Sequence, residues 1–249
     1  MYTRFFNRGL VVFLSVIFLV ILCSCAQGDN ISPTEPSLPD SPTELLITST
    51  IPSAPVVPID TVLNAYKSVL QGKADFCEAY DKKNMRLSQF YQTFNADGTH
   101  PTNAFKFAVI DLDFDGIPEV VLWLLVGGLD NVAFEVLRYH DGVVYGYMLY
   151  YRSFSNIKED GTFSFSSNAG NGGFGTLEFT DNDCSIKKIT YAETDMSSPI
   201  YPLPTSYFVN YESSTEAAFN LAIKEQNEKA DATWYDFTDD NIESVLSIR

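Results

Sequence analysis

The sequence predicts an α+β domain in which N-terminal and C-terminal helices pack on an antiparallel, twisted sheet. Segments 60–71 and 238–246 carry apolar residues at helical spacing, with Asp60 and Thr238 in capping positions. Between them, from Ala104 to Ala192, short runs of alternating apolar and polar residues are separated by Asp-Gly and Asn-Asp pairs. No internal repeat of about 20–50 residues is visible, so a solenoid or a propeller is excluded.

The first 24 residues are typical of an export signal, with a basic start followed by the apolar run Gly9–Leu22. Leu22-Cys23-Ser24-Cys25 then resembles the lipobox of bacterial lipoproteins, which implies that residues 1–24 are a signal peptide and that Cys25 is lipidated. Two or more acyl chains anchor a protein stably. We therefore expect a cell-membrane protein on the extracytoplasmic face. An uncleaved membrane helix is the alternative, and it leaves the rest of the chain outside as well.

Residues 25–58 are predicted to be a disordered tether. Ala26–Pro58 holds seven of the twelve prolines and many Ser and Thr, a composition that cannot bury a core. Residues 59–249 are long enough for one globular domain. Removing residues 1–24 deletes two Arg and no acid, which takes the formal charge from −16 to −18. Such an acidic surface excludes nucleic acid as a partner, and we expect a monomer.

Three further stretches bear on the helices. Ala74 to about Tyr80 is predicted as a second helical stretch, and Met85–Phe94 is apolar at mixed spacing, which leaves its secondary structure ambiguous. Ser213–Glu216 is a capping-box pattern before a predicted helix over Ala217–Lys224.

The central strands are predicted from period-two alternation and hairpin turns. Val120–Val126 is apolar on both faces, as expected of a central strand. Asn168–Gly175 is rich in glycine and is predicted as a mobile surface loop between strands, with a ligand-contacting loop as the alternative. The other predicted strands are Phe105–Ile110, Val132–His140, Val143–Tyr151, Thr162–Ser166, Phe174–Thr180 and Ser185–Ala192.

The most informative stretch runs from Asp111 to Glu119, between two predicted strands. Calcium prefers six to eight oxygen ligands, and carboxylates at alternate positions of a curled loop converge on one point. Gly116 permits the sharp turn. The predicted calcium ligands are the side chains of Asp111, Asp113 and Asp115, the backbone carbonyl of Ile117, and Glu119 directly or through water. An acidic hairpin turn without metal is the alternative.

The pattern is not an EF-hand, because Leu122 stands where the bidentate Glu belongs and the flanking segments are strands. The loop resembles the calcium loops of integrin-type propeller repeats, over these nine residues only. A lipobox, a tether and this loop also occur together here, and with Trp234-Tyr-Asp-Phe they resemble uncharacterised lipoproteins of Firmicute-type bacteria. That resemblance implies location and a calcium loop but no activity.

No catalytic constellation stands out. The two histidines, His100 and His140, lie near predicted turns, and no Gly-x-Ser-x-Gly or His-Glu-x-x-His motif occurs. Cys77 and Cys184 are expected to be free thiols, and a disulfide between them is the less favoured alternative. Most tyrosines are expected in the core, and exposed ones would suit sugar or peptide binding.

The function predicted from the sequence is binding or interaction at the cell surface by a lipid-anchored domain with a structural calcium ion. The surface ligand or protein partner is not identifiable from the sequence. Two other classes stay open: an exported hydrolase that acts on wall polymer, glycan or peptide, and a structural scaffold of the envelope.

Overall fold

The computed structural model describes residues 57–94, 102–126, 129–168, 170–180 and 183–247. Ser53–Arg249 form one compact unit by their internal contacts. The predicted signal peptide, Cys25, nearly all of the tether and His100 lie outside the described residues. Within the described part of the chain, no helix is both long enough and apolar enough to cross a bilayer.

In the described residues twelve strands form two sheets, and the predicted α+β class is confirmed. The seven-stranded sheet has the order β12-β3-β4-β5-β6-β1-β2, and the five-stranded sheet has the order β11-β10-β9-β8-β7. Neighbouring strands are antiparallel except β1 and β6, which are parallel. The strands are β1 (Phe76–Glu78), β2 (Lys83–Met85), β3 (Asn103–Ile110), β4 (Glu119–Val126), β5 (Leu129–His140), β6 (Val143–Tyr150), β7 (Phe163–Asn168), β8 (Asn171–Phe179), β9 (Cys184–Thr194), β10 (Thr205–Val209), β11 (Glu212–Ser214) and β12 (Tyr235–Asp236).

Helix α1 (Ile59–Leu70) packs on β5 and β6 of the seven-stranded sheet and contacts α4 (Asp239–Val245). The Thr238 side chain caps α4 by accepting the N–H of Asn241, as predicted. Most of the ambiguous segment 85–94 forms helix α2 (Leu87–Thr93), while Met85 ends strand β2. Helix α3 (Glu216–Glu228) lies on the five-stranded sheet, and its cap is Thr215 rather than the predicted Ser213, which is in β11.

Two apolar cores hold these layers together. The first lies between the helices and the seven-stranded sheet and includes Tyr66 and Leu122, which are both fully buried. The second lies between the two sheets, where Val121 and Val136 of one sheet meet Phe163 and Leu177 of the other. Strand β4 contributes to both cores, so its prediction as a strand covered on both faces is confirmed.

Two predictions for individual segments were wrong. Residues 76–78 form strand β1, not part of a helix, because they pair with β6 and bury Phe76 in the first core. The glycine-rich segment from Asn171 to Gly175 is part of β8 rather than a loop. A Cβ added at Gly173 or Gly175 would collide with the backbone of β9, so these glycines allow the two strands to lie close together.

Candidate cation site

The acidic loop joins β3 to β4 in the seven-stranded sheet. Ile110 and Glu119 are the last paired residues, so residues 111–118 form the turn of an antiparallel hairpin. The prediction that strands flank the loop is therefore confirmed. The carbonyl of Leu112 also accepts the N–H of Leu177 at 3.1 Å, which ties the loop to β8 of the other sheet.

Three aspartates converge in this loop. One carboxylate oxygen of each of Asp111, Asp113 and Asp115 lies within 4.8 Å of the other two. Backbone N–H groups of the loop hold the side chains in place: Phe114 donates to Asp111 Oδ1 at 2.7 Å, and Ile117 donates to Asp115 Oδ1 at 2.7 Å. The loop thus presents three carboxylates to one small volume, and that arrangement can hold a metal ion.

Left-handed backbone conformations give the loop its shape. Phe114 has φ 64° and Gly116 has φ 85°. Glycine adopts this region without steric cost. A second glycine, Gly161 in the turn before β7, lies directly against the carbonyl oxygen of Asp111, where an added Cβ would overlap it and crowd the Phe114 ring.

Glu119 is the most unusual group beside the cluster, because its side chain is completely buried. Its Oε2 accepts the N–H of Leu112 at 2.9 Å, while its Oε1 has no hydrogen-bond partner among the described residues. Burial, and then repulsion by the three aspartates, raises the pKa of Glu119 to about 9, although the bond from Leu112 opposes this. A buried carboxyl oxygen without a hydrogen-bond partner is unfavourable, and a nearby cation would lower the pKa of Glu119 by favouring its charged form.

Repulsion is also visible within the cluster. Partial burial, and next the charge of Asp115, raise the pKa of Asp113 above its usual value. Arg138 of β5 partly offsets this negative charge, since its Nη2 lies 3.5 Å from Asp113 Oδ2 and 3.6 Å from Asp115 Oδ2. The three aspartates outnumber the single guanidinium, so the loop keeps an excess of negative formal charge, which favours a cation.

Sequence reasoning did not find Arg138 as part of this site. It lies in a predicted strand, at the position opposite Tyr145, and only the pairing of β4 with β5 brings that position to the hairpin turn. The sequence carries no local signal for this placement, because the same strand also contains Glu135. The predicted carbonyl ligand at Ile117 stays a prediction, because only the N–H of that residue has an assigned partner here.

Among the described residues, the two cysteines are not activated nucleophiles. His140 and Cys77 line a cavity of about 500 Å³ with Arg138 and Tyr147. Both Cys77 and Cys184 are free thiols. Burial raises the pKa of each cysteine, to about 12 for Cys184, so neither is a thiolate at neutral pH.

Comparison of the chain with protein-family models, with curated proteins and with solved structures gives no match in any of the three.

Proposed function

We propose that this chain is a lipid-anchored, extracytoplasmic binding protein whose domain is stabilised by one calcium ion in the β3–β4 loop. The observation that carries the cation site is the convergence of the Asp111, Asp113 and Asp115 carboxylates on one small volume. The buried Oε1 of Glu119, which has no hydrogen-bond partner among the described residues, supports it. The export signal, the lipobox-like Cys25 and the proline-rich segment support the location.

Calcium fits this loop better than other common ions. All of the available ligands are oxygens, which excludes a preference for zinc or copper. Magnesium demands near-ideal octahedral geometry, whereas calcium accepts six to eight oxygens in irregular arrangements. A cation beside Glu119 would also favour its carboxylate form and supply the partner that Oε1 lacks. Extracellular calcium sites operate at about 10⁻⁴–10⁻³ M, so even weak binding suffices outside a cell.

Calcium is expected to raise the melting temperature of the domain over residues 53–249. At a free calcium concentration one hundred times the Kd, binding adds about 2.7 kcal/mol to the free energy of unfolding. For a domain of this size each kcal/mol corresponds to about 2–4 °C. Differential scanning calorimetry in chelator and in calcium measures the shift.

Asp113→Asn is expected to abolish most of that shift, because it removes a charged ligand while keeping the side-chain shape. Asp195→Asn is the matched control, since Asp195 also accepts backbone and side-chain bonds in a turn but lies outside the cluster. Equal melting temperatures in chelator and calcium for the unchanged protein would contradict the site.

Cys25→Ser in the full chain is expected to abolish incorporation of a labelled fatty acid in a bacterial host that processes lipoproteins. The thiol is the acceptor of the lipid in this proposal, and serine offers no equivalent group. The measurement is gel fluorescence of the labelled protein after membrane fractionation. Cys23→Ser is the control and should keep the label, and labelling that survives Cys25→Ser would refute the anchor.

A further inference from the structure

A second concave surface lies apart from the acidic loop and has a different chemistry. It is a cavity of about 320 Å³ on the side of the seven-stranded sheet that faces the second core. We define the aromatic groove by the four rings and two polar side chains that line it, Trp123, Phe134, Tyr151, Trp234, Asn156 and Asp231.

The rings of the aromatic groove are fixed against one another. The Trp123 and Trp234 ring centroids are 5.3 Å apart with planes at 72°, and Phe134 lies 5.8 Å from Trp123. Phe134 is buried in the second core and supports both indoles, while Tyr151 is 47% exposed. Because these rings already hold their positions, little side-chain conformational entropy is lost when a ligand packs on them.

The one charged side chain that lines the groove, Asp231, is paired with a lysine. Asp231 is well exposed, and one of its oxygens accepts a hydrogen bond from Lys158 Nζ at 2.6 Å. The same Nζ donates to the carbonyls of Asn227 and Lys229, so the lysine is held in place. Asn156 is exposed, has a left-handed φ of 48° and lines the groove. No unpaired charge is thus left among the six defining residues.

We infer that the aromatic groove binds an uncharged saccharide. A sugar ring presents C–H groups on its faces, which pack against aromatic rings, and hydroxyl groups around its edge, which need donors and acceptors. The four rings supply the apolar surfaces for the C–H groups. The Asn156 amide and the free oxygen of Asp231 supply the hydrogen-bonding groups for the hydroxyls. A quaternary ammonium ligand would also suit aromatic rings, but it favours an unpaired carboxylate, and Lys158 has already neutralised Asp231.

This inference deepens the proposed function by naming a ligand class, and it rests on that proposal only for the binding role. The cation site and the lipid anchor have their own measurements, so failure of sugar binding leaves both of them standing. Conversely, a melting temperature that calcium does not change would contradict the cation site but not the inference that the aromatic groove binds a saccharide.

The chain contains two tryptophans, and both line the aromatic groove. Intrinsic tryptophan fluorescence of the domain therefore reports on this surface. Titration with tri-N-acetylchitotriose and with maltotriose to millimolar concentrations is expected to give a saturable change with at least one of the sugars. No change with either sugar, or a saturable change with choline in place of the sugars, would overturn the inference.

Asn156→Gly is expected to weaken the binding about tenfold, the effect of losing one well-made hydrogen bond. Glycine tolerates the left-handed φ at this position, so the fold is preserved. Tyr151→Ala should weaken binding at least as much, whereas Tyr211→Ala removes a similarly exposed tyrosine outside the groove and should leave the affinity unchanged. Unaltered affinity in both groove variants, with melting temperatures preserved, would overturn the assignment.

Discussion

Gly161→Ala is expected to destabilise the domain strongly and to weaken cation binding, although residue 161 lies far along the chain from the acidic loop. Gly161 has φ 81°, so alanine adds the left-handed penalty of about 1–2 kcal/mol. The new Cβ would also overlap the carbonyl oxygen of Asp111. Overpacking of this kind costs about 1–3 kcal/mol more, and it would displace the first residue of the cluster.

Gly142→Ala is the matched control for this variant. Gly142 has φ 84°, but an added Cβ there meets no atom within 4 Å. It therefore carries the backbone penalty without the collision. Urea denaturation gives both free energies of unfolding, and calcium titration of the melting temperature gives the effect on the site. Equal losses of stability, or unchanged calcium response in Gly161→Ala, would show that the turn before β7 does not support the loop.

The second large effect concerns Glu135 in the middle of β5. Its side chain is fully buried in the sheet, and neither carboxyl oxygen has a hydrogen-bond partner among the described residues. Burial, and to a smaller extent the charge of Glu78, raises the pKa of Glu135 well above its usual value. The folded protein therefore keeps this carboxyl protonated to a higher pH than the unfolded chain does.

That difference makes the domain less stable as the pH rises. Between the ordinary carboxyl pKa and the raised value, the folded state binds one more proton than the unfolded state. Each pH unit in this window then lowers the free energy of unfolding by up to about 1.4 kcal/mol. Glu135→Met keeps a similar volume and removes the titrating group, so it should flatten the decline and stabilise the domain more at pH 8 than at pH 5.

Urea denaturation of the unchanged protein and of Glu135→Met, in chelator at several pH values, measures the two slopes. Glu119 contributes a decline of the same sign, and comparison of the two proteins removes that shared contribution. Glu178→Met replaces an exposed glutamate of β8 and is the control for adding a methionine. Parallel slopes in all three proteins would mean that Glu135 is charged in the folded state.

The sequence predicted those parts of the fold that depend on neighbouring residues. The Asp141-Gly142 turn between β5 and β6, the two-sided apolar strand β4 and the Thr238 cap are all read from neighbouring residues. The division of the strands into two sheets was not predicted. Alternation shows that a strand has a buried face, but not which strands share hydrogen bonds.

The errors have the same physical origin. Phe76–Glu78 is too short to show a period, and its strand conformation depends on pairing with Tyr145 and Gly146. The glycines of β8 lack side chains, so only the close approach of β9 explains their place in a strand. At the cation site the converging aspartates were predictable from spacing, whereas the contribution of Arg138 and the burial of Glu119 depend on the assembled sheet.

Helix α1 and the aromatic groove lie on different faces of the seven-stranded sheet. Helix α1 packs on the face that forms the first core. The aromatic groove draws its rings from the face directed to the second core. A ligand bound to the two indoles would therefore not compete with a molecule that contacts the helical face.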